Sequence, residues 1–396
     1  MMKPGYKQTE IGVIPEDWEA KPLKDVAPLQ RGFDLPYSQM EEGKYPVVFS
    51  NGVGAFHNAY MAKGPGVITG RSGTIGKVHY ISTNYWPHNT TLWVTDFHGN
   101  DEKYVYYLFQ TVPWELFNSG SSVPTLNRND IHDTLHAIPP RPEQRRIAEA
   151  LSDMDELIAS LEKLIAKKQA IKQGTMQELL TGKRRLPGFI GEWKRKLFGD
   201  LFEICPNNAY TRDQLTIGGK IKNIHYGDIL TKHGAYLDGN IANIPTLEKS
   251  LEKKQYAEKA FVQDGDIIIA DTAEDLTVGK AVEIINVRGK ILSGQHTFLC
   301  RPIIPFAPMY LGYYLNSADF HDQVVPYVTG TKVSSINKSS LCSLTVKYPD
   351  IPEQRAIAEI LSDTDKAILA LEERLAKAGQ IKQGMMQQLL TGKIRL

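Results

Sequence analysis

Between residues 142 and 186, apolar side chains recur at alternating spacings of three and four: Ile147, Leu151, Met154, Ile158, Leu161 and Ile165. Residues three and four apart share one face of an α-helix, so the spacing predicts one long amphipathic helix. A second stripe, Leu157, Leu164 and Ile171, runs beside the first. Together they cover about three positions in seven, a face too broad for a partner on one side only. The same pattern returns 210 residues later, with Ile357, Leu361, Ile368, Leu371 and Leu375 on the corresponding face. Over 142–186 against 352–396, 29 of 45 positions are identical without a gap, which marks a tandem duplication. Each copy opens at a proline before Glu-Gln, Pro142 and Pro352. Each closes on Leu-Leu-Thr-Gly-Lys, where Gly182 and Gly392 stand as C-terminal caps. About 38 residues at 1.5 Å give rods of roughly 57 Å, and an antiparallel pair of them needs only short connections. The seam turns polar at Lys168, Lys172 and Lys382, which predicts looser packing there.

The segments ahead of each helix have a different rhythm. Short runs rich in Val, Ile and Tyr, such as 45–49 and 266–270, are separated by Gly and Pro. They predict mixed, mostly β domains with a few short helices. Landmarks recur in both. Asp17-Trp18 with Leu23 and Asp25 is echoed by Glu192-Trp193 with Leu197 and Asp200, and Gly76-Lys77 by Gly279-Lys280. The tail 120–131 matches 330–341 at the same offset, through Gly120, Val123, Asn127 and Ile131 against Gly330, Val333, Asn337 and Leu341. The expected class is therefore α+β. Two mostly β domains, 1–141 and 187–351, are separated by two long antiparallel helices, 142–186 and 352–396, in a circular, pseudo-two-fold organisation.

Composition narrows the classes. A chain of 396 residues with 42% hydrophobic and 23% charged residues can bury two or three ordinary globular cores. No run of 18 apolar residues occurs, and no apolar segment follows the basic start, so neither a membrane span nor a signal peptide is expected. Three scattered cysteines fit a reducing cytosol and exclude a disulfide framework. Net charge is +1, and none of the four segments departs from neutrality by more than two charges. Any nucleic-acid contact must then come from local patches.

Taken together, the helix starts at 140–144 and 349–354, the paired Leu-Leu-Thr-Gly-Lys ends and the Gly-Thr-Ile-Gly-Lys77 element carry a resemblance. So do Asp271–Asp275 with Val-Gly-Lys280, and the Gly-Gln-His-Thr297 run. Over essentially its whole length the chain resembles the specificity subunit of type I restriction–modification systems. The resemblance implies that the variable domains are target-recognition domains, each reading half of a split site in double-stranded DNA. It implies that the helices set the spacing and dock two methyltransferase subunits, with restriction and translocase subunits joining outside. S-adenosylmethionine, ATP and Mg are then expected in the partners and no cofactor in this chain.

Candidate DNA contacts in the first domain are Arg71, Ser72, Thr74 and Lys77 in a Gly-rich loop, with Asn89, Thr90 and Thr91. Their counterparts are Asp271, Thr272, Lys280, Gln295, His296 and Thr297. Arg, Asn and Gln can pair with base edges, while Lys and Thr suit phosphates. The bland reading of the same residues is a solvated tight turn. Asn127-Arg128 and Asn337-Lys338 read as helix caps or phosphate contacts.

Catalytic signatures are absent from the sequence. The 70–77 loop misses the phosphate-loop spacing and has Val78 where Ser or Thr belongs, and no G-x-G-x-x-G fingerprint occurs. No Asn- or Asp-Pro-Pro-aromatic run is present. His132 and His136, four apart on an expected short helix, lack the adjacent Glu of a zinc protease, and His296 has no evident Ser and Asp partners. A non-catalytic DNA-binding subunit is the preferred reading. The alternatives are a coiled-coil scaffold whose β domains bind other ligands, and a self-contained DNA-modifying enzyme.

Overall fold

A computed structural model describes residues 4–119, 122–241, 243–330 and 333–396; the landmarks Gly120, Ser121, Thr331 and Lys332 lie outside the described residues. The chain forms two compact units, 1–163 with 372–396, and 164–371. Each unit thus contains one β-rich region and a half of each long helix.

In the first unit, strands β1 (Tyr6–Thr9) and β2 (Gly12–Pro15) form a hairpin. They are followed by β3 (Glu19–Pro22), α1 (Leu23–Val26), β4 (Leu29–Arg31), β5 (Tyr45–Phe49), β6 (Gly52–His57), β7 (Gly66–Gly70), β8 (Val78–Ile81), β9 (Trp86–Pro87) and β10 (Thr91–Val94). Helices α2 (Glu102–Phe109) and α3 (Arg128–His132) and strand β11 (Leu135–Ile138) lead into α4 (Arg141–Leu179). The central antiparallel sheet has the order β4-β10-β7-β8, beside a smaller sheet β6-β5-β9.

The second unit runs β12 (Lys194–Leu197), β13 (Phe202–Cys205), β14 (Leu215–Thr216), β15 (Ile221–Ile224), α5 (Tyr226–Thr231), β16 (Tyr236–Asp238), β17 (Thr246–Leu247) and α6 (Lys249–Glu252). It continues through β18 (Ile267–Ala270), β19 (Thr272–Ala273), β20 (Ala281–Ile285), β21 (Lys290–Ser293) and β22 (Thr297–Pro302). Then come α7 (Tyr310–Leu315), α8 (Ala318–Val324), β23 (Ser334–Ser335), α9 (Lys338–Ser343), β24 (Thr345–Tyr348) and α10 (Ile351–Leu389). Its main sheet, β13-β22-β18-β20-β16, repeats the four-strand order of the first unit and adds one parallel edge strand.

The long helices begin and end as the caps dictate. Pro142 and Pro352 occupy the second helical position, and Gly182 and Gly392 take φ of 72° and 69° just past the last turn. There the amide of Arg184 donates to Glu178 O and that of Ile394 to Gln388 O, closing the orphan carbonyls. Within the first unit the start of α4 meets the end of α10: Ile147 and Leu151 share one core with Leu389, Leu390, Trp18 and Tyr104. Within the second, Ile357 and Leu361 of α10 share a core with Leu179, the last residue of α4, and Leu180 just after it. In both units the two helices therefore run antiparallel.

Of the expected packing stripe, Ile147, Leu151, Leu161, Ile165, Ile357, Leu361, Ile368 and Leu371 are buried, while Met154, Ile158 and Leu375 are half-buried. The second stripe lies open: Leu157, Leu164 and Ile171 are 43%, 41% and 54% exposed. The polar seam is not loose. Lys382 Nζ lies 2.6 Å from Asp155, and Lys172 Nζ lies 2.5 Å from Asp365. Tyr107 Oη donates to Asp155 at 2.7 Å under Lys382, and Tyr313 Oη to Asp365 at 2.7 Å under Lys172. Charge pairing between the helices replaces apolar packing at these positions.

Both helix starts are locked by a nearly buried carboxylate. Arg395 bridges Glu143, at 2.6 and 3.0 Å, to Asp17 at 2.7 Å, and Trp18 Nε1 donates to the same Glu143 at 3.0 Å. The duplicate joins Arg185 to Glu353 through two contacts of 2.6 Å. Gln144 accepts from the Asp101 amide, and Gln354 from that of Ala307.

Candidate nucleic-acid interface

Strand β7 ends at Gly70, and the chain crosses a tight loop before returning as β8. Main-chain bonds hold this loop. The amides of Arg71 and Ser72 donate to Thr90 O at 2.8 and 3.1 Å, and Arg71 O accepts from Leu126 N at 2.8 Å. The second unit repeats the arrangement after β18: Asp271 N donates to His296 O at 3.1 Å, and Asp271 O accepts from Ile336 N at 2.9 Å. Arg71 and Asp271 thus occupy equivalent positions. The glycine before each lysine has positive φ, 76° at Gly76 and 87° at Gly279. A Cβ there would lie 3.1 Å from Trp114 in one unit and 3.0 Å from Val324 in the other, so these landmarks are the close-packed corners of one loop frame.

In the first unit Thr74 and Lys77 are exposed, and Arg71, Ser72, Asn89 and Thr90 are half-buried. Arg71 makes one long side-chain contact, Nη1 to Asn89 O at 3.4 Å. Lys77 Nζ donates to Asn51 O at 3.1 Å, which brings the turn after β5 against the loop. Thr90 Oγ1 accepts from Ser50 N and contacts His88 Nδ1 at 3.1 Å; burial holds that imidazole below its ordinary pKa. Asn89 Nδ2 donates to Asp34, which also pairs with Arg31. Thr91 must be withdrawn as a contact. It is fully buried in β10, and its hydroxyl donates to His88 O at 2.7 Å.

In the second unit Asp271, Thr272 and His296 form one polar cluster. Thr272 Oγ1 donates to Asp271 at 2.7 Å, and His296 Nδ1 lies 3.5 Å from Asp271. The ring of Tyr226 meets His296 edge-on at 5.4 Å between centroids. Gln295 is half-buried beside them. Two expectations fail here. Thr297 is buried, its hydroxyl donating to Gly294 O at 2.6 Å. Lys280 is half-buried with Nζ donating to Leu230 O at 2.9 Å, and burial lowers its pKa, so its ammonium serves the fold.

Asn127 and Asn337 cap α3 and α9, accepting from Asn129 N and Ser340 N, while Arg128 and Lys338 beside them are exposed. The two histidines do not share a helix. His132 ends α3 and accepts from Leu29 N at 2.9 Å, whereas His136 lies in β11 against Thr134, its pKa pushed down to about 4 by burial. Both are structural. Among the described residues no three His, Cys, Asp or Glu side chains gather as metal ligands, and no helix is long and apolar enough to cross a membrane. Sequence reading missed Arg31, at the end of a three-residue strand, and Tyr226, at the start of α5. Neither carries a spacing signal, because folding alone brings each to its loop.

The loops can present side-chain donors and acceptors on a main-chain frame, which suits recognition of a polymer with edges and phosphates. The sequence model of the type I restriction modification DNA specificity domain matches residues 15–173 and 190–380. The chain is 24% identical over 325 residues to the type I restriction enzyme MjaVIII specificity subunit of Methanocaldococcus jannaschii, covering 75% of this chain and 71% of the relative. It is 24% identical over 438 residues to the putative MjaX specificity subunit of the same organism, covering 99% and 97%. Among solved structures it is similar to the type I restriction–modification S subunit from M. genitalium. That match has TM-score 0.62 and 15% identity, over 98% of this chain and 99% of the other. A structure from work on complex assembly and conformational transition of the type I system aligns at TM-score 0.56 and 16% identity, over 96% and 99%.

Proposed function

Because the chain belongs to the family of type I restriction modification DNA specificity domains, with two copies of the domain, we propose that each unit reads one half of a bipartite site in double-stranded DNA. The observation that carries this reading is one loop frame used twice with different side chains, Arg71 in one unit and Asp271 in the other. Around that frame the accessible polar side chains also differ, Thr74 and Asn89 in one unit and Thr272, Gln295 and His296 in the other, and different sets of donors and acceptors select different base edges, so the two halves of the site differ. The continuous 39-residue helices α4 and α10 set the gap between the half-sites. The exposed Leu157, Leu164 and Ile171, seven residues apart along α4, support docking of methyltransferase subunits on the helices. Restriction subunits join the assembly through those partners. Methyl transfer and cleavage, with S-adenosylmethionine, ATP and Mg, belong to the partners; this chain directs them and performs no covalent chemistry.

Mapping modified bases in the host genome with and without the gene tests the reading. The expected result is the loss of one asymmetric, two-part motif with a fixed gap. Loss of a single continuous motif, or no change in a host whose methyltransferase is active, refutes it.

A further inference from the structure

One cleft in the first unit gathers three guanidinium groups. Arg31 reaches it from the end of β4, Arg71 from the β7–β8 loop, and Arg128 from the start of α3; together with Leu126 and Asn127 they line a cavity of about 240 Å³. Little else uses their charge. Among the described residues Arg71 and Arg128 each make one long contact to a carbonyl, at 3.4 Å to Asn89 O and 3.5 Å to Leu29 O, and of the three only Arg31 has a carboxylate partner, Asp34 at 3.1 Å. A guanidinium carries five N–H donors, so most donors around this cleft remain available. Like charges crowded into one cleft repel, and a bound anion relieves that repulsion.

The second unit has the same backbone without the charge. Strand register makes Pro206, just after β13, the equivalent of Arg31. In one sheet Leu92 opposes Arg31, and in the other Phe298, next beyond the Cys205↔Leu299 pair, faces that position. Asp271 replaces Arg71, and Lys338 replaces Arg128. The loop beyond Asp271 adds the exposed Glu274 and Asp275. Three cations become one cation and one anion, with two more carboxylates further along the same loop.

Resting on the DNA-binding reading above, we propose that the Arg31–Arg71–Arg128 cleft is a phosphate pocket for the DNA backbone, and that the second unit has no counterpart to it. The two units then divide the work unequally. The first supplies salt-sensitive grip at this position, and the second, where the charge of Lys338 is offset by that of Asp271, does not.

The test is the slope of log affinity against log salt for the full chain on duplex DNA. Each neutralised phosphate contributes about 0.9 to that slope. Arg71→Ala with Arg128→Ala should flatten it by about that amount, so a fourfold rise in salt weakens the variant about 3.5-fold less than the wild type. Asp271→Ala should not flatten it. The pair Arg71→Lys and Arg128→Lys keeps the charge and should keep the slope, which separates loss of charge from loss of folding. An unchanged slope in the alanine pair overturns the proposal. So does saturable binding of inorganic phosphate, at constant ionic strength, that the alanine pair abolishes while the DNA slope stays as in the wild type; the cleft would then be a free-anion site. If the wild type shows no salt-dependent DNA binding, the functional reading itself falls, and this assignment with it.

Discussion

Arg395 stands one residue from the end of the chain, yet it holds the start of α4 to the entry segment. Replacing it with alanine removes two contacts to Glu143 and two to Asp17. The Glu143 side chain is only 2% exposed, and taking away one partner of a buried pair costs about 3–5 kcal/mol. Two features lower that figure. The Arg395 side chain is 37% exposed, so water already shares its solvation, and Trp18 Nε1 continues to donate to Glu143. The expected loss is about 2–3 kcal/mol, or roughly 4–12 °C in the melting of a unit this size. The duplicate provides an internal comparison. Arg185 is less exposed than Arg395, and the buried Trp193 Nε1 has no acceptor, so no indole N–H supports Glu353. Arg185→Ala should therefore cost more, about 3–5 kcal/mol. Thermal scans of both variants, with hydrogen exchange to assign each transition to its unit, read the difference. The reasoning is refuted if Arg395→Ala proves the more damaging, or if both melt within a degree of the wild type.

Glu283 is buried under the start of α7, accepting from Met309 N at 2.7 Å and Gly312 N at 2.9 Å; burial outweighs those bonds and raises its pKa to about 7. A raised carboxylate pKa means the stabilisation is full below the unfolded value near 4.5 and is lost as pH climbs through 7. Denaturant titrations should show the second unit losing stability on the order of 3 kcal/mol over that window relative to Glu283→Gln, and parallel pH profiles would sink the idea. Tyr107→Phe and Tyr313→Phe each remove a hydrogen bond to an interhelical aspartate. Each should cost about 1.5–3 kcal/mol, in a different unit, read from the two unfolding transitions; a loss in one unit only would mean that the duplicated clusters are not equivalent.

The helices were legible because a helix buries residues at a fixed period, and Ile147, Leu151 and Leu361 obey it. Their caps were legible because Gly182 and Gly392 answer a backbone need that few residues meet. The interhelical charge pairs were not. Lys172 and Lys382 look like a weak seam until the antiparallel register brings Asp365 and Asp155 opposite them. That the second stripe lies open was not legible for a related reason: periodicity reports that a face is apolar, not whether the chain itself covers it. At the loops, residue type misled where burial decides. Thr91 and Thr297 have the chemistry of contact residues, but each begins a sheet strand and turns its hydroxyl to its own backbone. His136 was misplaced because a four-residue spacing says nothing once the helix ends at His132 and a strand begins at Leu135.

The division between what duplicates and what diverges has a mechanical basis. Where the halves agree, side chains bear on the packing: Glu143 and Glu353, Gln144 and Gln354, Tyr107 and Tyr313 hold the long helices to the loops and short helices packed against them. A change in one partner would leave a buried group unsatisfied. Where the halves disagree, the backbone does the positioning. Arg71 and Asp271 are held through their own N–H and C=O, to Thr90 and Leu126 in one unit and to His296 and Ile336 in the other. Such bonds are indifferent to the side chain, so an arginine and an aspartate, opposite in charge and in hydrogen-bonding sense, occupy one frame without strain in either. A domain built this way can change what it offers DNA at that position by single substitutions while its fold and its grip on the helices stay as they were. The positions most open to such change are those whose side chains make few internal contacts, Arg71 and Thr74 in one unit and Glu274 in the other. Buried neighbours such as Thr91 are closed to it.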